Sequence, residues 1–404
     1  MKTIFNLIIT ALISVSLLSG CQDSNKYRAL IVTGQGEQNW QESHKILQKI
    51  LENSGIFKVE ISLSPAKGKD MSIYSPDFKS FDLVVLDYNG DEWPEKTKKS
   101  FVDYVKKGGG VLVYNESVDA FPDWDEYNMI IGLGGKGRDE KSGPYVFINN
   151  KDKTETDTGE GAAGLKTKKH DFLIEVRDTV NPVLKGMPER WLHPQDIIYS
   201  KLRGQAGNMT ILATAFSAKN KSVQGSGRHE PVMMSLTYEN GRVFSTVLGF
   251  VGDKGPYLAM QDAGLILALQ RGAEWAATGH VTQKYPDDMP NIAAPFILPN
   301  YKFYTLDELF MNAENYEFGK TEKFLYLISN RIRNAKGDKA KLAVFEDKIL
   351  EVLGSDEATN ECKNYLCRDL SCIGTEKSIP VLEKLKENEE TADMANFALA
   401  RIKK

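Results

Sequence analysis

Two groups of side chains in this sequence could transfer protons. His193 and Asp196 stand three residues apart and could form an acid/base pair, in which the carboxylate tunes the imidazole. The alternative is a structural hydrogen bond that holds the loop after Trp191. Glu116 follows Asn115 at the end of a predicted strand, where a carboxylate could be a general base and simple exposure is the alternative. The predicted catalytic residues are therefore Glu116, His193 and Asp196.

Other polar and aromatic side chains could bind a polyhydroxylated ligand. Carboxylate, amide and phenol groups at Asp87, Tyr88 and Asn89 end another predicted strand and could hydrogen-bond sugar hydroxyls. Tryptophans could stack on sugar rings, although large aromatic side chains more often belong to cores. The predicted substrate-binding residues are Gln38, Trp40, Tyr88, Asn89, Asn115, Trp124, Arg138, His229 and Glu230.

Three of these residues have specific structural alternatives. His229 and Glu230 are adjacent, so on a strand they face opposite ways and only one can enter a cleft. Their alternative role is a salt bridge that anchors a loop. Arg138 follows a glycine-rich run that lacks the Lys-Ser/Thr pair of a phosphate-binding loop. We interpret that run as the wall of a shaped loop, with Arg138 as a polar contact.

Short apolar runs alternate with helical periods and must position these residues. This alternation predicts an α/β fold with a parallel sheet and helices on both faces. Ligands of such sheets bind at the carboxyl ends of the strands. The first four predicted strands are Tyr27–Gly34, Phe57–Leu63, Phe81–Leu86 and Val111–Tyr114, and the helices between them are Trp40–Ser54 and Pro94–Lys107. Further strands follow between Phe172 and Leu248, with a hairpin turn at Asn240-Gly241, and then a helix at Leu258–Ala277.

The last hundred residues have a different character. Residues 287–304 contain three prolines and are predicted to be a linker between an α/β domain at 27–286 and a helical domain at 305–404. Six short helical periods after Leu306 predict a small solenoid, a form that usually presents a binding surface to a partner. Cys362, Cys367 and Cys372 do not have the spacing of a zinc site, and we expect them to be small apolar residues on helix faces.

The amino-terminal residues indicate where the protein is sent. Residues 1–20 have the layout of a signal peptide, with a positive start and an apolar run too short for a comfortable membrane span. Leu18-Ser19-Gly20-Cys21 resembles the bacterial lipobox, which implies lipid on Cys21; an ordinary secretory signal with a chance cysteine is the alternative. Residues 21–26 are a polar tether. We expect a lipid-anchored protein of the bacterial cell envelope, at the outer rather than the inner membrane, facing the periplasm or the cell surface.

The charge balance excludes one class of partner. The chain has 404 residues, with 51 Lys and Arg against 55 Asp and Glu, which gives a formal net charge of −4. A chain without excess positive charge lacks the field that holds a polyphosphate backbone, so we expect no nucleic-acid partner.

Several ordered segments carry a family resemblance, including Gly108-Gly109-Gly110, Phe121-Pro122-x-Trp124-x-Glu126-Tyr127-Asn128, Trp191-x-His193-x-x-Asp196 and Leu269-Gln270-Arg271-Gly272-x-Glu274-Trp275. Over about residues 27–290 the chain resembles the ThuA-like (trehalose utilisation) family. The resemblance implies a flavodoxin-like sheet similar to class I glutamine amidotransferases, without their cysteine, and a role in disaccharide and keto-sugar catabolism. No cysteine lies between Cys21 and Cys362, so the amidotransferase cysteine is absent from this chain as well. The C-terminal part looks like a HEAT-type repeat.

Departures from the family pattern bear on its chemistry. Where family members typically have histidine, this chain has Gln38, Asn115, Ser245 and Phe250, and Asp196-Ile197-Ile198-Tyr199 lacks a family carboxylate. Metal binding needs several nitrogen or oxygen ligands at one point. We therefore predict no cofactor and disfavour a divalent metal.

Two functions from different classes remain after this comparison. The first is an enzyme of sugar catabolism that acts on an oxidised (3-keto) sugar or glycoside, with Glu116, His193 and Asp196 as its acid/base groups. The second is a carbohydrate-binding or scaffold protein with a degenerate site. Amidotransferase-like hydrolysis is a third interpretation, which the missing cysteine opposes. An enzyme predicts that the three candidate residues converge in one cleft, whereas a binding protein predicts aromatic faces and neutral amides there.

Overall fold

The computed structural model describes residues 26–135, 137–138, 140–161, 163–204, 207–286 and 292–403. The predicted signal peptide, Cys21 and residues 287–291 of the predicted linker lie outside the described residues. Within the described ranges, no helix is both long enough and apolar enough to span a bilayer.

The α/β domain is built on one large mixed sheet, which contains the predicted parallel strands and also antiparallel ones. Its strands are β1 (Tyr27–Thr33), β2 (Phe57–Leu63), β3 (Leu83–Leu86), β4 (Gly110–Tyr114), β5 (Tyr145–Ile148), β6 (Thr154–Asp157), β8 (His170–Val176), β9 (Arg190–Asp196), β11 (Met209–Ser217), β12 (Arg228–Tyr238) and β13 (Gly241–Thr246). Two further strands, β7 (Leu165–Lys166) and β10 (Tyr199–Ser200), form a separate antiparallel pair.

Half of the sheet is parallel and half is antiparallel. The spatial order is β2-β1-β3-β4-β13-β12-β11-β8-β9, and the strands are parallel from β2 to β13 and antiparallel from β13 onward. The predicted hairpin at Asn240-Gly241 joins β12 to β13 and is confirmed. The stretch at 151–169, whose polar, Gly-, Thr- and Lys-rich composition predicts an exposed loop, contains β6 and β7. Its composition hides these strands because β6 is exposed along its whole length.

Helices cover both faces of the parallel half. The helices of this domain are α1 (Trp40–Asn53), α2 (Glu95–Lys106), α3 (Asp125–Ile131), α4 (Leu258–Gln261) and α5 (Ala263–Thr278). The predicted helix at Leu258–Ala277 is broken at Asp262, whose backbone is extended and whose carboxylate caps α5 by accepting the Leu265 N–H. Buried side chains surround α5 on nearly all sides, and it packs on β4, β13 and α1.

An all-helical segment follows, as predicted. Its helices are α6 (Leu306–Ala313), α7 (Lys323–Asn334), α8 (Lys339–Gly354), α9 (Asn360–Ile373), α10 (Ile379–Leu385) and α11 (Ala392–Ile402). Helix α9 packs against α7, α8 and α11, so it lies at the centre of the segment. Cys362 and Cys367 on α9 are buried, as small apolar residues should be, whereas Cys372 is exposed. The HEAT-type repeat stays a prediction.

A close approach of α5 to β4 depends on glycine at position 110. A Cβ atom on Gly110 would lie 2.5 Å from the Ala276 carbonyl group and 2.7 Å from the Ala277 nitrogen, both backbone atoms. Backbone cannot move aside as a flexible side chain can, so α5 would have to shift.

We expect Gly110→Ala to lower the free energy of unfolding by about 1 to 3 kcal/mol, measured by urea denaturation. The matched control is Gly354→Ala at the end of α8, where an added Cβ meets no atom within 4 Å. Alanine there should leave stability unchanged or raise it by up to about 1 kcal/mol. Equal effects of the two substitutions would contradict the close packing of α5 on β4.

Candidate functional site

A strained residue stands at the carboxyl end of β4. Asn115 has a φ of 45°, in the left-handed region that costs energy for any residue but glycine and is tolerated best by Asn and Asp. Its Nδ2 donates to the Val247 carbonyl (3.1 Å), and its Oδ1 accepts from the Tyr199 hydroxyl (3.0 Å) and from Gln38 Nε2. The amide is therefore held by several hydrogen bonds. The turn directly after β4, where Asn115 stands, carries no nucleophile.

Glu116 follows Asn115 and is almost fully buried, with 3% of its surface exposed. Its two carboxylate oxygens accept the backbone N–H groups of Glu37 (2.9 Å) and Gln38 (3.1 Å), just before α1 begins. Burial raises the pKa of Glu116, while the two N–H groups and the nearby Lys166 charge partly offset that rise. The alternative that Glu116 is simply exposed is thus excluded. The carboxylate is a buried acceptor at a helix N-terminus.

Glycine at position 36 makes room for this carboxylate. A Cβ atom on Gly36 would lie 2.2 Å from Glu116 Oε1, which is far inside contact distance. The β1–α1 loop can therefore wrap around the carboxylate only because residue 36 has no side chain.

The charge of Lys166 lowers the pKa of the Glu116 carboxyl. Lys166 on β7 lies 3.0 Å from the buried carboxylate of Asp119 and 3.7 Å from Glu37, with its ammonium 4.7 Å from the centre of the Tyr199 ring. One third of its side chain is exposed. The β7–β10 pair thus brings a cation and a phenol to the carboxyl end of β4.

The end of β3 supplies a second buried carboxyl group. Asp87 accepts hydrogen bonds from Ser43 (2.7 Å) and Thr33 (3.3 Å), and burial, with the Glu116 charge as a smaller cause, raises its pKa well above the usual range. Asn89 is half-buried and close enough to lower the pKa of Glu116, yet its Nδ2 has no hydrogen bond of normal length in the described part of the chain.

Gln38 links three parts of the site. Its Nε2 donates to Asn115, its Oε1 accepts the Val251 N–H (3.1 Å), and its backbone N–H binds Glu116. Trp40, which begins α1, is half-buried, with its ring stacked on His44. Gln38, Trp40, Asn89, Asn115 and Glu116 are thus the predicted residues that the structure brings to the carboxyl ends of β1, β3 and β4. We call them, with Lys166, the Glu116 site.

His193 and Asp196 belong to a separate, buried network of charged side chains. His193 is fully buried, and its Nε2 donates to Asp196 (2.8 Å) while its Nδ1 donates to Asp262 (2.9 Å). Burial by itself lowers the pKa of His193, but the two carboxylates outweigh it and raise that pKa to about 9. The ring is thus an imidazolium at neutral pH with both N–H groups engaged.

The other hydrogen-bond partners of Asp196 and Asp262 show which segments this charged network holds in place. Asp196 accepts the N–H groups of Gly249 (2.7 Å) and Phe250 (3.0 Å), and Asp262 accepts from Trp191 (3.1 Å) and caps α5. No hydrogen bond within the described residues joins Glu116 to His193 or Asp196. The two residues therefore fit the structural hydrogen bond that the sequence left as the alternative, extended to Asp262.

Three predicted binding residues lie in the core, away from the Glu116 site. Tyr88 is 1% exposed, with its ring stacked on Phe121 and its hydroxyl on the Asp91 carbonyl. Trp124 is packed among aromatic rings beside α2, and Trp93 and Trp191 are also buried. Arg138 is buried, with its guanidinium on the Val118 carbonyl and the Asn128 side chain. These side chains shape the domain, as aromatic residues more often do.

His229 and Glu230 face different surroundings, as adjacent residues of a strand must. His229 lies against Phe216, Arg177 and Glu175, and burial is the main cause that lowers its pKa. Glu230 is buried and accepts from Tyr145 (2.6 Å) and the Lys201 N–H (3.2 Å); burial raises its pKa to about 7. Neither hydrogen-bonds a residue of the Glu116 site.

Sequence reasoning missed Lys166, Asp119, Tyr199 and Asp262. Asp262 had a signal, since Asp directly before an apolar helical period is a common N-cap. Lys166 had none, because it lies in a polar stretch whose lysines look alike. Only the pairing of β7 with β10 brings it to the site.

The residues at the family's histidine positions do not fit a divalent ion. The side-chain amides of Gln38 and Asn115 hydrogen-bond each other and the backbone of Val251 and Val247. Phe250 offers no ligand atom. Among the described residues, no group of three or more His, Cys, Asp or Glu side chains could hold a metal.

We expect His193→Gln to remove a pH-dependent part of the stability. A pKa raised from 6.5 to about 9 gives stability that is complete below about pH 6.5 and lost as pH rises through about 9. The free-energy difference from the wild type, on the order of 3 kcal/mol at about pH 6, should shrink toward about pH 10. Urea denaturation across that range measures it. The exposed His280→Gln is the control, and a difference that stays constant with pH would contradict the buried imidazolium.

Comparison with known proteins agrees with this fold. The ThuA family, described as trehalose utilisation, matches residues 28–276, up to the last turn of α5. A solved ThuA-like protein from Parabacteroides merdae is 45% identical, with a TM-score of 0.67, and the match covers 69% of this chain and 100% of that one. One from Bacteroides uniformis is 18% identical, with a TM-score of 0.44, and the match covers 63% of this chain and 93% of that one. No curated protein matches this chain. Since the family match spans more than half of its length, the chain belongs to the ThuA family.

Proposed function

We propose that this protein acts on an oxidised sugar or glycoside, with Glu116 as the proton acceptor. The observation that carries the proposal is the Glu116 carboxylate itself, held by two backbone N–H groups at the carboxyl end of β4, with its pKa raised by burial. A general base works best when its pKa approaches the working pH, and desolvation moves a carboxylate in that direction. The sugar class is supported by the family's description as trehalose utilisation.

The chemistry follows from a carbonyl group in the sugar ring. In a 3-keto-glycoside the carbon at position 2 is acidic because its carbanion is delocalised into the neighbouring carbonyl. Glu116 takes that proton, the electron pair forms the carbon–carbon double bond, and the glycosidic oxygen leaves with the bonding pair. The protonated Glu116 then returns the proton to the departing oxygen, so the step is balanced without an oxidant.

The rest of the Glu116 site supplies binding and charge. Lys166 is the cation whose charge acts on Glu116, so it also favours negative charge that develops on a ligand oxygen nearby. The half-buried Trp40 offers a ring face to a sugar, and the half-buried Asn89 amide lies beside Glu116.

A second candidate function is carbohydrate binding without catalysis. The specific observation that favours it is the hydrogen-bonded amide pair of Gln38 and Asn115, which stands where family members typically have imidazoles. Neutral amides recognise hydroxyl groups without transferring protons.

We expect Glu116→Gln to lower kcat/KM by at least about a hundredfold on 3-keto-glycosides while sugar binding survives. The chain from Gln22 onward is incubated with 3-keto-glycosides and their parent disaccharides, with and without a chelator, and products are followed by mass spectrometry. Wild-type turnover should rise with pH through a pKa above the ordinary glutamate value and should not respond to the chelator.

The matched control is Glu346→Gln in the helical segment. Glu346 is also buried and also accepts a backbone N–H, from Thr375 at 2.7 Å, but lies outside the family match. Equal losses in both variants would point to folding instead of chemistry. Sugar binding by a folded wild type that turns over no member of the panel would overturn the enzyme and support the binding protein.

We also propose that lipid on Cys21 holds the protein in the bacterial envelope, at the outer membrane and facing the periplasm or the cell surface. Cys21→Ala should block lipid attachment, so the protein should leave the membrane fraction of fractionated cells. Cys372→Ala, which removes the exposed cysteine of the helical segment, is the control and should stay with the membranes. Retention of Cys21→Ala in the membranes would contradict the anchor.

A further inference from the structure

Two adjoining cavities cross the helical segment where α7, α9 and α11 meet. Their volumes are about 660 and 450 Å³, and they share Ile332, Arg333 and Cys372, so we treat them as one feature, the α9 groove. The larger cavity is also lined by Lys336, Leu342, Ser371, Ile373 and Arg401. The smaller one is also lined by Tyr326, Ser329, Tyr365, Arg368 and Asp369.

The α9 groove is basic although the whole chain is mildly acidic. Four exposed cations line it, namely Arg333, Lys336, Arg368 and Arg401. Its single carboxylate, Asp369, is buried and accepts the Ser329 hydroxyl at 2.5 Å, and burial raises its pKa. A ligand in the groove therefore meets mainly positive charge.

Aromatic rings hold the guanidinium groups in place. Arg368 lies 3.9 Å from the centre of the Tyr365 ring, Arg401 lies 4.9 Å from that of Phe397, and Arg333 lies 5.8 Å from that of Tyr326. Stacking on a ring fixes the plane of a guanidinium. Arg333 also donates to the Asn330 side chain (3.2 Å), and Arg368 lies 3.9 Å from the Asp369 carboxylate. In the described part of the chain, no carboxylate lies within ion-pair distance of Arg333, Lys336 or Arg401.

The floor of the groove is apolar, which narrows the choice of ligand. Ile332 is buried there, and Leu342 and Ile373 are half-buried beside it. A small anion would use the arginines and leave these side chains uncovered. A polypeptide with both acidic and apolar side chains would satisfy both, and arginine clusters are a common means of recognising acidic motifs.

We propose that the α9 groove binds a peptide segment of a partner protein that carries acidic and apolar side chains. The carboxylates pair with Arg333, Arg368 and Arg401, and the apolar side chains cover Ile332 and its neighbours. The partner is a protein, because the four cations and apolar floor suit a short peptide better than a long polyphosphate backbone.

Cys372 provides a reporter inside the groove. It is exposed and shared by both cavities, whereas Cys362 and Cys367 are buried. The chain from Gln22 to Lys404, which contains every described residue and lacks Cys21, is mixed with a fluorescein-labelled peptide of twelve alternating Glu and Leu residues. Fluorescence anisotropy measures binding, and mass spectrometry follows alkylation of Cys372 by N-ethylmaleimide with and without the unlabelled peptide.

We expect the Glu/Leu peptide to bind and to slow Cys372 alkylation several-fold, and its affinity should fall as the salt concentration rises. A Lys/Leu peptide should neither bind nor protect Cys372. The double variant R333E/R401E should weaken binding by about tenfold or more. The control K339E/K384E makes the same change of charge at two exposed lysines that do not line the groove, and it should bind as the wild type does.

Several results would overturn the proposal. They are no binding by the wild type, binding without protection of Cys372, an equal loss in the control variant, and tighter binding of single-stranded DNA or inorganic phosphate than of the peptide. The alkylation test uses the wild type, so it stays decisive even if R333E/R401E fails to fold, which circular dichroism would reveal.

Discussion

The imidazolium of His193, on β9, links the loop after β13 to the start of α5 through two carboxylates. Its two N–H groups bind Asp196 and Asp262, and these carboxylates bind the loop after β13, the Trp191 ring and the first turn of α5. A buried charge is tolerable only when it is paired, and here each partner is also hydrogen-bonded. The loop held in this way supplies the Val251 N–H that binds Gln38. The Glu116 site therefore rests on a histidine that does not enter it.

Glu116 stabilises the β1–α1 loop and is also the base that the proposed function needs. The same two N–H groups fix its position and moderate the rise of its pKa caused by burial. A carboxylate that is held rigidly and partly desolvated needs little reorganisation to accept a proton. The strained backbone of Asn115 turns the chain there, and its amide keeps that turn in place.

Much of the fold was predictable from local pattern. Apolar runs of strand length located β1 to β4, and the Asn-Gly pair located the β12–β13 hairpin, because these signals depend on neighbouring residues alone. The directions of the other antiparallel strands escaped prediction, since strand direction depends on pairing between distant segments. The break at Asp262 was also missed, because apolar periodicity continues on both sides of it.

For the site, the sequence by itself determined that Asn89, Asn115 and Glu116 stand at the ends of strands of the parallel half. It did so because all parallel strands end at one edge of a sheet. Only the tertiary structure decided which candidates meet there. Burial turned Tyr88, Trp124 and Arg138 into core residues, and two carboxylates turned His193 from a candidate base into a fixed cation. The pairing of β7 with β10 brought Lys166 to Glu116. Burial and charge pairing are sums over distant neighbours, which the spacing of residues along a chain does not contain.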